Sequence, residues 1–204
     1  MRNIIIVGPS RSGKSTLAKR LHEELGYYVI SIDKLVAVVQ NAYPELDIKL
    51  NWDRDKVTEN IAPFIAHYLG MFSSDDGRGL LDYSHGAVKD NRFVLEGAYF
   101  DFGKIEESLK VYGINSLKEG FILIGLVQKY KSEEDFIQDF RKYDTEDDWT
   151  YNLSDEELKE VAVDMASYNK EMYRKLVEYG FDIYDTSGGR EEVFDKIIEK
   201  VRNK

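Results

Sequence analysis

The clearest chemistry in the sequence sits near its amino end, in the run Gly8-Pro9-Ser10-Arg11-Ser12-Gly13-Lys14-Ser15. These residues satisfy the pattern G-x-x-x-x-G-K-[ST] at every fixed position. Glycines let such a loop turn so that successive backbone N–H groups face inward onto phosphate oxygens, and a helix opening at Lys14 adds the positive end of its dipole. The Lys14 ammonium would reach the outer phosphates. The Ser15 hydroxyl is placed to ligate Mg2+ bridging two phosphates, and Thr16 completes the nucleotide-binding stretch. An ordinary glycine turn has no use for the lysine. The expected ligand is a nucleoside triphosphate with its magnesium ion.

A phosphate loop needs a strand before it and a helix after it, and the flanking sequence supplies both. Residues 3–7 form an apolar run, and Leu17, Ala18, Leu21 and Leu25 recur at helical spacing before Gly26 offers a stop. Four further apolar runs follow, at 28–32, 93–95, 121–127 and 181–184. None alternates strictly with polar residues, which is how parallel strands covered on both faces read. Between them lie helix signals. Ser132 can cap a helix through about Tyr143, Ser154 with Glu157 makes a capping-box pattern opening a long helix that Gly180 ends, and a last amphipathic helix spans 190–202. Strands alternating with helices predict an α/β fold with a parallel sheet.

The totals narrow the function. The 204 residues, 43% hydrophobic, suffice for one good core and crowd two, so residues 1–204 read as a single domain. A net charge of -10 argues against a general affinity for nucleic acid, which needs a basic face. With no cysteine, thiolate catalysis, disulfides and cysteine-ligated zinc are excluded, and a reducing cytoplasm fits. The first apolar run is too short for a signal peptide or a membrane span. The three histidines, His22, His67 and His85, are scattered without ligand spacing and read as surface or packing residues.

The loop alone does not separate a kinase from a GTPase switch. A guanine-recognition motif is missing: Asn169-Lys170 is followed by Glu171-Met172 inside an expected helix. At four places in order the chain resembles the small P-loop kinases, the group of adenylate, shikimate, gluconate and uridine kinases. Besides the phosphate loop these are Ile30-Ser31-Ile32-Asp33, Val94-Leu95-Glu96-Gly97 and Tyr184-Asp185-Thr186-Ser187. The resemblance implies a three-layer P-loop NTPase fold, with a five-stranded parallel sheet in the order 2-3-1-4-5. It implies that Asp33 binds or deprotonates an acceptor hydroxyl and that Glu96 holds magnesium or its water. A loop of Gly188, Gly189 and Arg190 would lie against the adenine.

The same resemblance assigns residues 34–90 to a helical acceptor-binding insertion and residues 129–152 to a lid. Arg54, Arg78 and Arg92 are the insertion's candidate anion anchors. In the lid, Arg141 is the candidate for the migrating phosphoryl group, with Lys142 beside it, where relatives often carry two or three arginines. The acidic cluster Asp144, Glu146, Asp147 and Asp148 reads first as a solvated capping loop, and otherwise as a site for a cationic acceptor or second metal. Trp149 and Tyr151 read as packing residues. The expected activity is transfer of the γ-phosphoryl of ATP to a small-molecule acceptor with Mg2+, without nucleic acid or membrane as partner. The alternative is a regulatory or assembly ATPase with little kinase activity, and a polynucleotide 5′-kinase is a weaker third.

Overall fold

The computed structural model describes residues 2–50, 53–73, 92–146 and 148–203. His85, Arg78 and Asp147 fall outside them. A five-stranded parallel sheet runs through the middle in the order β2-β3-β1-β4-β5. Its strands are β1 (Ile4–Val7), β2 (Tyr28–Ser31), β3 (Phe93–Gly97), β4 (Ile122–Val127) and β5 (Asp182–Asp185). This is the expected order, and each strand lies within two residues of its apolar run.

The uninterrupted hydrophobicity of the central strands follows from what covers them. In β1, Ile5 and Val7 face one side while Ile4 and Ile6 face the other, and all four are fully buried. The first side is covered by α2 (Ile32–Ala42), α3 (Arg54–Ser73), α4 (Phe102–Leu109) and α7 (Asp155–Glu178), which contribute Val36, Ile65, Ile105 and Leu176. The second is covered by α1 (Lys14–Leu25) and α8 (Arg190–Arg202), through Leu17 and Leu21 against Phe194 and Ile198. With water excluded from both faces, no strand position in the centre tolerates a polar side chain. Glu96 in β3 is the exception, and it belongs to the site.

A short helix, α5 (Leu117–Gly120), precedes β4, and α6 (Glu133–Tyr143) follows it. Helices α6 and α7 share a small core of their own, built by Phe136, Phe140, Leu158, Ala162 and Met165. Both start at reciprocal capping boxes, Ser132 with Asp135 and Ser154 with Glu157. No helix among the described residues is long and apolar enough to cross a membrane.

Candidate functional site

The phosphate loop turns off the end of β1 with two residues in the left-handed region, Arg11 at φ 60° and Gly13 at φ 93°. Two close approaches require glycine. A Cβ on Gly8 would stand 2.2 Å from the Leu126 carbonyl oxygen, and one on Gly13 would stand 2.7 Å from Cζ of Phe194. Arg11 has no such excuse, and its backbone conformation costs roughly 1–2 kcal/mol. Its side chain offsets that cost. One guanidinium nitrogen, Nη1, pairs with Asp144 at 2.7 Å. The other, Nη2, meets Asp148 at 3.2 Å and donates to the Thr150 hydroxyl at 3.0 Å. The group also lies 5.2 Å from the centre of the Phe140 ring.

The amino end of α1 is built differently from those of α6 and α7. Its cap residue Gly13 offers no side-chain acceptor, and its first turn holds no acidic residue. The other two helices have serine caps and three carboxylates each in the first turn. The first N–H groups of α1 thus lack the partners that helix ends require, and its dipole is uncompensated, which suits an anion. Lys14 stands at the same end and donates to the Pro9 carbonyl at 2.8 Å. Burial lowers its pKa from the ordinary 10.5, and the negative charges of Glu96 and then Asp33 oppose that shift.

Two clefts of about 650 Å³ each adjoin this loop. The first runs between Gly13, Lys14, Ser15 and Thr16 on one wall and Thr186, Ser187, Gly188 and Arg190 on the other, with Lys131, Asp139 and Tyr143 at its margin. The walls are stapled together. The buried Thr186 hydroxyl is 2.9 Å from the Ser12 carbonyl and 3.1 Å from that of Val127, and the Arg190 guanidinium donates to the Arg11 carbonyl at 2.9 Å. Gly189 is the cap residue of α8 and does not line the cleft. The second cleft is lined by Ser10, Arg11, Lys14, Ser15, Asp33 and Glu96 on the side of the loop, and by Arg54, Tyr99, Trp149 and Tyr168 from other elements. Lys14, Ser15, Asp33 and Glu96, drawn from three separate strand ends, therefore share one wall.

Ser15 donates its hydroxyl proton to Glu96 Oε2 at 3.2 Å, and Glu96 is only 4% exposed. A hydroxyl and a buried carboxylate beside an uncapped helix end form a donor set that fits Mg2+ on a triphosphate, since this ion takes one or two protein oxygens and completes its shell with phosphate and water. No group of three metal-ligating side chains occurs among the described residues. Ser15 and Glu96 are the residues that would hold the ion.

Arg141 departs from its expected place. Asp139 and Tyr143, one turn apart on α6, border the first cleft, and a residue midway between them points about 200° away. Arg141 accordingly pairs with Asp155 and borders neither cleft. The cation that does reach the phosphate cleft from this region is Lys131, ion-paired with Asp139. Lys142 lies against the Tyr143 ring. Of the acidic cluster, Asp144 is not solvated, with 4% side-chain exposure in its pair with Arg11. Asp148 does cap its own turn, accepting from the Thr145 backbone at 2.9 Å. Trp149 and Tyr151 remain about half exposed, at 55% and 48%, so neither pins the loop to a core. Arg54 pairs with Asp164 at 2.8 Å, and the Arg92 guanidinium lies 5.2 Å from the centre of the Tyr27 ring. His22 and His67 hydrogen-bond to the Tyr27 carbonyl and the Tyr112 hydroxyl.

The sheet order, the glycine loop entering α1 and the carboxylates at neighbouring strand ends define a P-loop fold. Residues 4–71 match a family model described as an AAA domain. Among solved structures, shikimate kinase from Bacteroides thetaiotaomicron matches with a TM-score of 0.54 at 11% identity, over 99% of this chain and 97% of that one. Shikimate kinase from Acinetobacter baumannii, solved with shikimate, gives 0.52 at 15% identity over 99% and 91%. A gluconokinase from Sinorhizobium meliloti gives 0.50 at 14% identity over 98% and 95%. The chain has the fold of the small P-loop kinases.

Proposed function

We propose that the protein is a magnesium-dependent kinase that moves the γ-phosphoryl group of ATP to a hydroxyl of a small molecule. The observation that carries this reading is the meeting of Lys14, Ser15, Asp33 and Glu96 on one wall of the second cleft. ATP would lie in the first cleft, its phosphates on the backbone of residues 8–16 and its adenine toward Gly188, Gly189 and Arg190. Magnesium neutralises phosphate charge when bound at Ser15 and Glu96. The acceptor hydroxyl would enter from the second cleft, with its proton within reach of Asp33. Its oxygen forms the new bond to the γ-phosphorus as the bond to the β–γ bridging oxygen breaks, ADP leaves with that electron pair, and the proton passes to Asp33. Lys14 stabilises the charge that develops on the transferring group.

In this reading residues 34–90 bind the acceptor, residues 129–152 act as the lid within a single domain 1–204, and the protein works in the cytoplasm. Acceptor-dependent release of ADP, measured over a panel of nucleosides, nucleotides and sugar acids, tests it. Lys14→Ala should abolish that release with the fold intact, and Asp33→Asn should lower kcat with little change in ATP affinity. Full activity in either variant would remove that residue from the mechanism.

One observation favours a second reading, a regulatory or assembly ATPase with little kinase activity. Arg141 pairs with Asp155 away from both clefts, and Arg11 is held by Asp144 and Asp148. Release of ADP indifferent to every acceptor in the panel would select it.

A further inference from the structure

The second cleft carries a charge pattern that bears on what enters it. Apart from the loop's own Arg11 and Lys14, Arg54 is the one cation among the described residues that line it, and that charge is already met. Its guanidinium donates to Asp164 at 2.8 Å, and its Cζ lies over the Tyr168 ring, 3.8 Å from the ring centre. Tyr168 is held in turn by its hydroxyl, which donates to the Ala98 carbonyl at 3.1 Å, and burial keeps that phenol un-ionised by raising its pKa. One helical turn before Asp164 on α7 stands Glu160, which lines the same wall and has no ion-pair partner among the described residues. Tyr99 and the half-exposed Trp149 complete this end of the cleft.

At the inner end the balance is no kinder to an anion. Arg11 is engaged by Asp144 and Asp148, and Lys14 lies between Glu96 and Asp33. A bound triphosphate would draw on Lys14 and add negative charge. With Asp164 matched to Arg54, a carboxylate or phosphate on the acceptor would therefore meet the charges of Glu160 and Asp33 without an uncommitted cation among the described residues that line the cleft, and like charges repel. Aromatic rings beside carboxylates are instead the surroundings that hold an ammonium group.

Building on the kinase reading, we infer that the acceptor is a hydroxyl compound bearing a positively charged amine, with Glu160 and the Trp149 and Tyr99 rings receiving the amine and Asp33 facing the hydroxyl. The product is then a phosphorylated amino alcohol in which the new negative charge is partly balanced by the molecule's own ammonium. Compounds of the shikimate and gluconate type, which are carboxylates, are disfavoured by the same wall.

The test is calorimetric titration of the protein loaded with Mg2+ and a non-hydrolysable ATP analogue. The probes are glucosamine and kanamycin as cations, glucose and uridine as neutral alcohols, and gluconate and shikimate as anions. A cation should bind tightest and the anions weakest. Glu160→Gln, at an exposed position that leaves folding untouched by thermal melt, should weaken the cations about 5- to 10-fold and the neutral probes less than about twofold. Tightest binding by an anion, no binding in any class, or a ranking indifferent to Glu160→Gln overturns the inference. Release of ADP assayed in parallel separates it from the kinase reading. Glu160-dependent cation binding without turnover of any probe counts against the kinase reading and leaves only the amine site at Glu160, whereas turnover of gluconate or shikimate above the amines refutes the inference and leaves the kinase.

Discussion

The pair between Arg11 and Asp144 makes a prediction with two readouts of opposite sign. Arg11 belongs to the loop that would wrap the triphosphate, yet its guanidinium is committed to a carboxylate from the segment after α6 at 2.7 Å, with that carboxylate almost wholly buried. Asp144→Asn keeps the shape and removes the charge. Two unit charges about 4 Å apart attract by about 4 kcal/mol at an effective dielectric constant of about 20, and desolvation offsets part of that. Asp148 and Thr150 still hold the guanidinium after the change. A net loss of about 1.5–2 kcal/mol follows, and for a chain of this size the Tm falls by about 3–8 °C. Nucleotide affinity should move the other way. Held then by Asp148 and Thr150 alone, Arg11 can turn more readily to the phosphates, and the Asp144 charge beside the loop disappears. For a separation on the order of 7 Å and an effective dielectric constant between about 20 and 80, that charge would repel a phosphate charge by about 0.6–2.4 kcal/mol, so affinity should rise somewhere between about 3-fold and 60-fold. Thermal melting and the Kd of a fluorescent ATP analogue with Mg2+ measure the two effects. A variant that loses stability and affinity together would refute the competition argued here and leave Asp144 a residue that organises the loop.

Gly8→Ala forces a Cβ against the Leu126 carbonyl, so the urea midpoint should drop by the equivalent of about 3 kcal/mol with loss of nucleotide binding, while Gly188→Ala, where an added Cβ meets nothing within 4 Å, should leave stability unchanged. Glu96→Gln keeps a hydrogen-bonding partner for Ser15 and removes a charge, so the gain in ATP affinity conferred by Mg2+ should shrink at least about tenfold on metal titration, and a full metal effect would exclude Glu96 as its holder. Lys14 carries a pH signature. Its pKa in the folded protein lies below 10.5, so the unfolded chain binds more protons in the interval beneath 10.5, and the contribution of Lys14 to stability rises with pH there. Subtracting the stability curve of Lys14→Met, measured by urea unfolding across that interval, should leave a positive slope, and saturating MgATP should flatten it.

What could be read from the sequence was local or was repeated by several neighbours. The capping boxes at Ser132 and Ser154 are contacts between residues three apart, and α8 runs over the expected span because its apolar spacing and Arg190 start mark it. The central strands β1, β3 and β4 showed because burial on both faces makes them almost wholly apolar, while the partly exposed edge strands β2 and β5 showed through their short runs of large apolar residues. The partners of Arg11 could not be read, since Asp148 lies 137 positions away and ion pairing leaves no periodic trace. The orientation of Arg141 could not be read, for a rotational reason. The buried Phe136 and Phe140 fix the phase of α6 and put residue 139 on one flank and residue 141 on the other, but only the assembled fold says which flank looks at the phosphate loop. Lys131 sits inside the expected lid and carried the one usable signal, a lysine immediately before a helix cap.

The place of β1 in the sheet also has a bearing on how the protein is made. This strand is synthesised first, but Ile4 pairs with Val94 on one side and Ile122 on the other. At about 5–20 residues per second the ribosome needs roughly 6–25 s to deliver the second of these partners. Until Val94 and its neighbours arrive, Ile4, Ile5, Ile6 and Val7, which end with no exposed surface at all, have no sheet to join, and until β4 follows they are paired on one side only. The nascent chain is therefore far stickier than the finished protein, and its yield in a cell should depend on how quickly chaperones cover that short run.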